Sequence, residues 1–533
     1  FERHVDVRSQ GRIEELFLNS EYNRYVINPQ KFVSIPGAPF AYWATPKIFK
    51  AFQKSQSVRA VAKAFRGIST GDNERFSRVW HEVARIDLKT DASSREEAAN
   101  SGKRWFPYNR GGSFRKWFGL GSEVIDYEAG GKRMVNAYEQ GETPGFRHDG
   151  SQGYFLSTVT WGALTAGKTS FRRLPRGYVL GHKGPGIVAN AEISDDLLLF
   201  LNSRAAEKLL SFVSPTLDTN ISHLLALPFR RAGTAHTSES AFIDIAKSDW
   251  DDHESSWDFT MLPLRSPDQR AETLEASYAG LRARWQGMTD EMQRLEEENN
   301  RIFIDVYGLQ DELTPDVPLE EVTLTCNPHY RYGNNKSEEE LESLLLADTM
   351  HELVSYAVGC MFGRYALDKP GLVLANQGET IEDYLKQIPE PSFPADEDNV
   401  IPMLDGDWFT DDVTERFREF LRIAFGEEHY EENLRFVEQA LGKDIRKYFL
   451  KDFYNDHVRR YKKRPIYWLF SSPKGSFNAL IYMHRYQPHT VGTVLEYLRD
   501  FKDEKLQARK NHLEAVSISA GASQGEKTKA LKE

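Results

Sequence analysis

Apolar residues recur most regularly between 274 and 302. Leu274, Leu281, Met288, Leu295 and Ile302 stand seven apart, and Tyr278, Trp285 and Met292 follow the first three of these by four residues. Such a four–three alternation places all eight on one seam of a helix about four heptads long. Asn299 takes the next seam position, where a polar side chain commonly fixes register. Two readings share the pattern: a spacer or pairing helix, and an amphipathic helix packed on its own domain.

Upstream the period shortens. Between 65 and about 242, short β-branched or aromatic runs (153–161, 178–181, 186–193) lie between glycine-rich turns, which predicts a mainly β module. A helix is predicted over 194–212, with Asp195 and Asp196 in its first turn. Residues 1–64 mix helical patterning with turns at Ile35-Pro36-Gly37 and Ala44-Thr45-Pro46. Beyond Pro328 the pattern is helical again: Ser337 with Glu340 forms a capping box that opens a helix from 338 to about 365. Pro389, Pro391 and Pro394 with Asp396, Glu397 and Asp398 read as an exposed loop. Helices then resume to 501, with short strands at 461–470 and 480–483. The expected fold class is α+β multidomain, with a mainly β module and flanking helices, a long spacer helix and a mostly α-helical C-terminal domain.

Length and composition bound this picture. The 533 residues suffice for roughly three or four domains. No run of about eighteen apolar residues exists, so no membrane-spanning helix is expected. Cys326 and Cys360 are too few for a disulfide framework and lack metal-ligand spacing, which favours a reducing cytoplasm. Position 1 is Phe, and 521–533 is a helix-prone Lys/Ala/Glu stretch with no terminating cap, so both ends read as cuts in a longer protein.

The net charge of −11 argues against a nucleic-acid binder until the chain is divided near Ala235. Residues 1–235 carry 33 basic and 23 acidic side chains, a net +10; the remainder carries 35 and 56, a net −21. That asymmetry suggests an anionic ligand for the front half. There, glycines, aromatics and cations alternate through 65–76, 103–117 and 167–183. Arginine and lysine supply sequence-independent phosphate contacts, and guanidinium groups can read base edges bidentately. Candidates for positioning on phosphates are Lys103, Arg104, Lys168 and Arg172; candidates for reading bases are Asp72, Asn73, Arg110, Arg115 and Arg176. Thr70, Arg75, Lys116, Arg173 and Lys183 complete the candidate DNA-binding set.

Two motifs suggest other chemistry. Gly162-Ala-Leu-Thr-Ala-Gly167-Lys168-Thr169 matches the phosphate-loop pattern, but Pro175 and Gly177 come too early for the helix such a loop must open. A β-turn presenting Lys168 to DNA fits better. Asn327-Pro328-His329-Tyr330 invites comparison with the Asn-Pro-Pro-Tyr motif of adenine-N6 methyltransferases. His329 replaces the second proline, and no glycine-rich strand–turn–helix for a methyl donor lies upstream. His81, His148, His182 and His236 lack metal spacing. Asp405, Asp407, Asp411 and Asp412 read as a solvated loop and helix start rather than a cation site. No catalytic or metal-ligating residue is assigned.

Several stretches resemble one family. They are Gly67-Ile-Ser-Thr-Gly-Asp-Asn73, Leu201-Asn-Ser203 leading to Ser214-Pro-Thr216, Asp249-Trp250 with Ser256-Trp-Asp-Phe259, and Ile304-Asp-Val-Tyr-Gly-Leu309. Most specific is Val354-Ser-Tyr-Ala-Val-Gly-Cys-Met-Phe-Gly-Arg-Tyr365 followed by Leu367-Asp-Lys-Pro-Gly371. Together they resemble the BREX phage-defence adenine-specific DNA methyltransferase of the PglX type, in the portion that follows its catalytic motifs. The first two blocks also resemble the target-recognition region of single-chain restriction–methylation enzymes.

The resemblance implies a parent enzyme that transfers a methyl group from S-adenosylmethionine to adenine N6 and so marks self DNA. In this chain the donor-binding and catalytic motifs have no matching position, so no cofactor is expected in this segment. It divides the chain into 1–64, a linker or distal edge of the methyltransferase domain; 65–245, a DNA target-recognition domain; 246–330, a spacer-helix region; 331–510, an acidic helical domain; and 511–533, a truncated tail. Implied partners are double-stranded DNA and other BREX components, with a phage DNA-mimic inhibitor also conceivable, and no membrane. The rival readings are a protein-interaction scaffold of the defence complex and a P-loop NTPase.

Overall fold

The computed structural model describes residues 10–19, 27–164, 167–214, 219–233, 239–519 and 521–532. Helix predominates over strand, and the strands gather into small sheets, so the chain is α+β. No helix among the described residues is long and apolar enough to cross a membrane.

The basic half holds two four-stranded sheets. One orders Val179–Leu180, Trp105–Asn109, Glu123–Asp126 and Ser77–Val79, its first pair parallel and the others antiparallel. It closes over a small core that includes Ile68, Phe76, Phe106, Ile125, Phe155 and Leu180. The other is fully antiparallel, in the order Ala62–Phe65, Gly186–Ala189, Thr158–Trp161 and Phe171–Leu174. Its Val159, Trp161 and Ile187 belong to a different and much larger core, which runs on through the helices to Tyr482. One hydrophobic interior thus crosses the expected borders at 245 and 330.

The strands are shorter than their hydrophobic runs. Ser151–Gly153 is a 3-10 turn and pairing begins only at Thr158. The run expected as a helix over 194–212 forms two helices, Ala191–Leu201 and Arg204–Val213. Ser203 separates them because its hydroxyl accepts the Ala206 N–H at 3.2 Å and starts a new helix. The Asn202 amide bonds both backbone groups of Phe171 at 3.0 Å, tying the break to the adjoining sheet.

The heptad stretch is a single 34-residue helix, Leu274–Tyr307, about 50 Å long. Thr273 caps its start through the Ala276 N–H, and Gly308 at φ 69° ends it. Leu274, Leu281, Trp285, Met292 and Leu295 are buried, while Tyr278, Met288 and Ile302 are half-buried. The seam packs on this chain's own elements: Asn299 donates to the Leu199 carbonyl at 2.9 Å, and Asn433 accepts the Leu274 N–H at 2.7 Å. The structure therefore selects packing within its own fold over pairing.

The acidic half is built on the helix Glu338–Met361, opened by the expected capping box between Ser337 and Glu340. It ends four residues early because Gly363 turns the backbone at φ 74°. Helices Val413–Phe425 and Tyr430–Leu441 pack on it, and Thr490–Arg499 packs through Val494 on a three-stranded antiparallel sheet of Ile401–Pro402, Asn478–Tyr482 and Tyr467–Ser471. The last of these begins six residues later than expected: Tyr461 caps the preceding helix, and Lys462 and Lys463 hold positive φ.

Candidate nucleic-acid interface

The fourteen residues singled out from the sequence fall into three groups. The first is interior. Arg115 is 2% exposed and pairs with Asp249 at 2.9 Å, while donating to the Phe118 carbonyl and the Thr325 hydroxyl and lying over the Trp250 ring. Burial raises the Asp249 carboxyl, but Arg115 first, with His253 and the N–H groups of Thr325 and Cys326, carries it below its ordinary range. Lys116 pairs with Glu296 of the long helix, whose other oxygen accepts the Trp117 indole N–H at 2.6 Å. Arg172 is 1% exposed, and Arg173 is clamped by Glu239 and Asp195. Thr70 is buried and donates its hydroxyl to Asn73 at 2.8 Å.

The second group lies at the surface but is engaged within the chain. Arg75 pairs with Glu142 at 2.5 Å, Arg104 with Asp126 at 2.9 Å and Arg110 with Glu123 at 2.8 Å. Lys168 reaches Glu321 at 2.7 Å and Glu207 at 3.2 Å. Lys103 donates to the Ile86 carbonyl, Asp72 caps the turn Asn73–Phe76 through the Arg75 N–H, and the exposed Asn73 accepts the Thr70 hydroxyl. The third group is Arg176 and Lys183, exposed and without a side-chain partner among the described residues.

Lys183 has company that sequence reasoning did not single out. Ser69 pairs with Arg147 in a two-stranded ladder, and on its other side the Ile68 N–H bonds Leu180 while the His182 N–H returns to Ile68 at 2.9 Å. Three segments thus lie side by side, which brings Arg66, Arg147, His182 and Lys183 to one surface. Glycines permit the approach: a Cβ on Gly67 would sit 2.0 Å from the Leu180 carbonyl, and one on Gly150 1.7 Å from the Arg66 oxygen. The side chains of Arg66, Arg147 and Lys183 are exposed and form no ion pair among the described residues. The His182 imidazole is pushed below its ordinary value, by burial first and then by Arg66, Lys183 and Arg147, with Asp149 opposing. Arg66, His182 and Lys183 stand in two of the basic stretches, but only strand register brings them together with Arg147.

The two suggestive motifs are structural. Gly167-Lys168-Thr169 leads into the strand Phe171–Leu174 of a hairpin, so no helix N-terminus faces a phosphate there, and Thr165 and Ala166 lie outside the described residues. Asn327 is fully buried; its amide donates to the carbonyls of Leu319 and Val322 at 2.8 Å and its oxygen caps the turn Pro328–Tyr332. It has no donor left to hold a base. A cleft beside the long helix presents Lys116, Lys168, Arg204, Glu207, Glu296 and Glu321, but these charges are paired with one another. Asp407 and Asp412 pair with Arg446, Asp411 accepts from Tyr497, and no metal-binding group of side chains occurs among the described residues.

No protein-family model matches the chain. Over 94% of its length it is 35% identical to "Adenine-specific methyltransferase PglX" of Lacticaseibacillus casei (strain Zhang), covering 42% of that protein. Over 86% of its length it is 32% identical to "Adenine-specific methyltransferase BrxX" of Escherichia coli O9:H4 (strain HS), covering 38% of it. The chain therefore spans about two fifths of the length of these curated relatives.

Proposed function

This chain is a relative of the PglX-type adenine-specific methyltransferases, and from that kinship we propose that it is the part of such an enzyme that selects the DNA site. The whole protein would transfer a methyl group from S-adenosylmethionine to adenine N6 in BREX phage defence, with flipping and methylation of the base performed outside this segment. Double-stranded DNA is the partner of the basic half; other BREX components and a phage DNA mimic are partners of the complete protein.

The observation that carries this reading is the surface where Arg66, Arg147 and Lys183, none of them ion-paired among the described residues, gather around the His182 ring. Most other cations of the candidate set are spent on internal partners. A surface that leaves three long cations without an ion pair among the described residues, beside closely approaching glycine loops, suits a polyanion. Phosphate contacts would fix orientation there, while Arg176 and the NH2 group of Asn73 remain available for base edges. The paired residues Arg115, Lys116 and Arg173 support the module from within instead.

The test is binding of this chain to random and site-bearing duplexes across a salt series, with radiolabelled S-adenosylmethionine alongside. Replacing Arg66 and Arg147 together by Ala is expected to weaken all duplexes alike and to lower the log–log salt slope by about 2. Sequence-selective weakening would reassign them to base reading, and tight donor binding would overturn the proposed division of labour. Absence of salt-dependent binding would favour the scaffold reading, for which the net −21 of residues 236–533 offers a docking surface.

A further inference from the structure

Arg172 is buried with no carboxylate paired to it among the described residues. Its guanidinium donates to the carbonyl of Gly111 at 2.9 Å and of Arg115 at 3.3 Å, so the charge lies directly beneath the loop that joins them. Burial first, and the neighbouring Arg115 second, bring it down to about 10, which leaves it charged at neutral pH. A buried cation without a counter-ion is costly, and its field emerges through the low-dielectric interior at the nearest surface.

That surface is Gly112 and Ser113. Both are exposed, and their two backbone N–H groups have no acceptor among the described residues. Gly111 and Gly112 hold φ of 86° and 127°, which side-chain-bearing residues rarely adopt. Lys183 flanks them: its carbonyl is 2.5 Å from where a Cβ on Gly111 would lie, and its ammonium is exposed. The loop is held in place from behind, since the Asn109 amide bonds Thr160 at 2.6 Å and the Gly184 carbonyl at 2.9 Å, and the Ala163 N–H bonds the Lys183 carbonyl at 3.0 Å.

We propose that the amides of Gly112 and Ser113, with Lys183 beside them and Arg172 below, form a site for one phosphate oxyanion. Exposed successive amides over a fixed positive charge are the elements of a phosphate cradle. Arg172 acts as a positioning residue that shapes the loop and supplies field, and it does not touch the ligand. The inference rests on the DNA-recognition reading insofar as the phosphate is a phosphodiester of duplex DNA; free phosphate offers the same chemistry.

Lys183→Ala and Ser113→Asp, both at exposed positions, are compared with the native chain and with Lys132→Ala, an exposed lysine elsewhere in the module. Each site variant is expected to lower the salt slope of duplex binding by about 1, while Lys132→Ala leaves it unchanged. Inorganic phosphate, added at constant ionic strength, separates the sources. If it displaces duplex and raises the thermal midpoint of the native chain but not of Ser113→Asp, the site takes the free ion as well. If duplex alone responds, the polymer backbone is the ligand. Should the native chain bind no duplex yet gain phosphate stabilisation that Ser113→Asp loses, the anion site stands and the DNA reading falls. Unchanged slopes and unchanged phosphate response in both variants overturn the site.

Discussion

Arginine 115 shows how a residue's chemistry and its location can point in different directions. By type and neighbourhood it reads as a guanidinium offered to a base; in the fold it is sealed against Asp249 and Trp250. Removing one partner of a buried ion pair strands the other charge, so Arg115→Met is expected to cost about 3–5 kcal/mol of stability, and Arg115→Met with Asp249→Leu appreciably less. Urea midpoints decide it. A loss of duplex discrimination at unchanged stability would return Arg115 to the reading face. Sequence could not distinguish Arg115 from Lys183, since both stand beside glycines and aromatics and only their three-dimensional partners differ. Arg147 and His182 were illegible for the converse reason: nothing in their flanks resembles a motif, and the register of Ser69 against Arg147 is a tertiary fact.

Helices were easier to read than strands because their signals are local. Heptad spacing located the first residue of Leu274–Tyr307 and its end to within five residues, and the Ser337–Glu340 box marked the first residue of its helix. The break at Asn202–Ser203 escaped, because apolar residues recur on both sides of it and three polar residues alone do not tell a helix face from a helix end. Ser203→Ala should therefore cost about 1 kcal/mol, measured by denaturant unfolding. Asn299 illustrates the opposite ambiguity: its seam position was visible but its partner was not. The Asn202 N–H takes the Leu198 carbonyl and the Ser203 N–H takes that of Phe200, so the intervening Leu199 carbonyl depends on Asn299. Asn299→Leu is expected to cost about 1–3 kcal/mol while leaving the sedimentation coefficient unchanged. A shift in oligomeric state would revive a pairing role.

Over the whole molecule, the basic and acidic halves meet through buried histidines. His81 sits edge-on to Tyr461 at 4.6 Å, the His484 ring bonds the His81 carbonyl at 2.9 Å, and His457 Nε2 accepts the N–H groups of Ile466 and Tyr467. Burial, then nearby arginines, push His457 down to about 3; burial brings His484 to about 4, with His81 lowered in the same direction. Each is neutral when folded and binds protons more readily when unfolded, near 6.5. Their contribution is thus complete above pH 6.5 and falls, by up to about 1.4 kcal/mol per unit per group, as pH drops toward 4. Glu254, raised by burial, opposes this in part. Chemical unfolding between pH 8 and about 5 should show a plateau and then a decline that His457→Gln makes shallower; a flat profile would mean these rings are hydrated. Charge asymmetry was legible in the sequence, but a shared core and a histidine seam between the halves were not, because both depend on contacts across hundreds of residues. The junction of Lys116 and Trp117 with Glu296 has a further consequence, for inheritance. A recombination event that exchanged only the stretch before the long helix would bring in a foreign loop facing a resident glutamate. Exchange between such proteins is therefore expected to carry the helix together with the loops that precede it, or to proceed by point substitution in the outer loops.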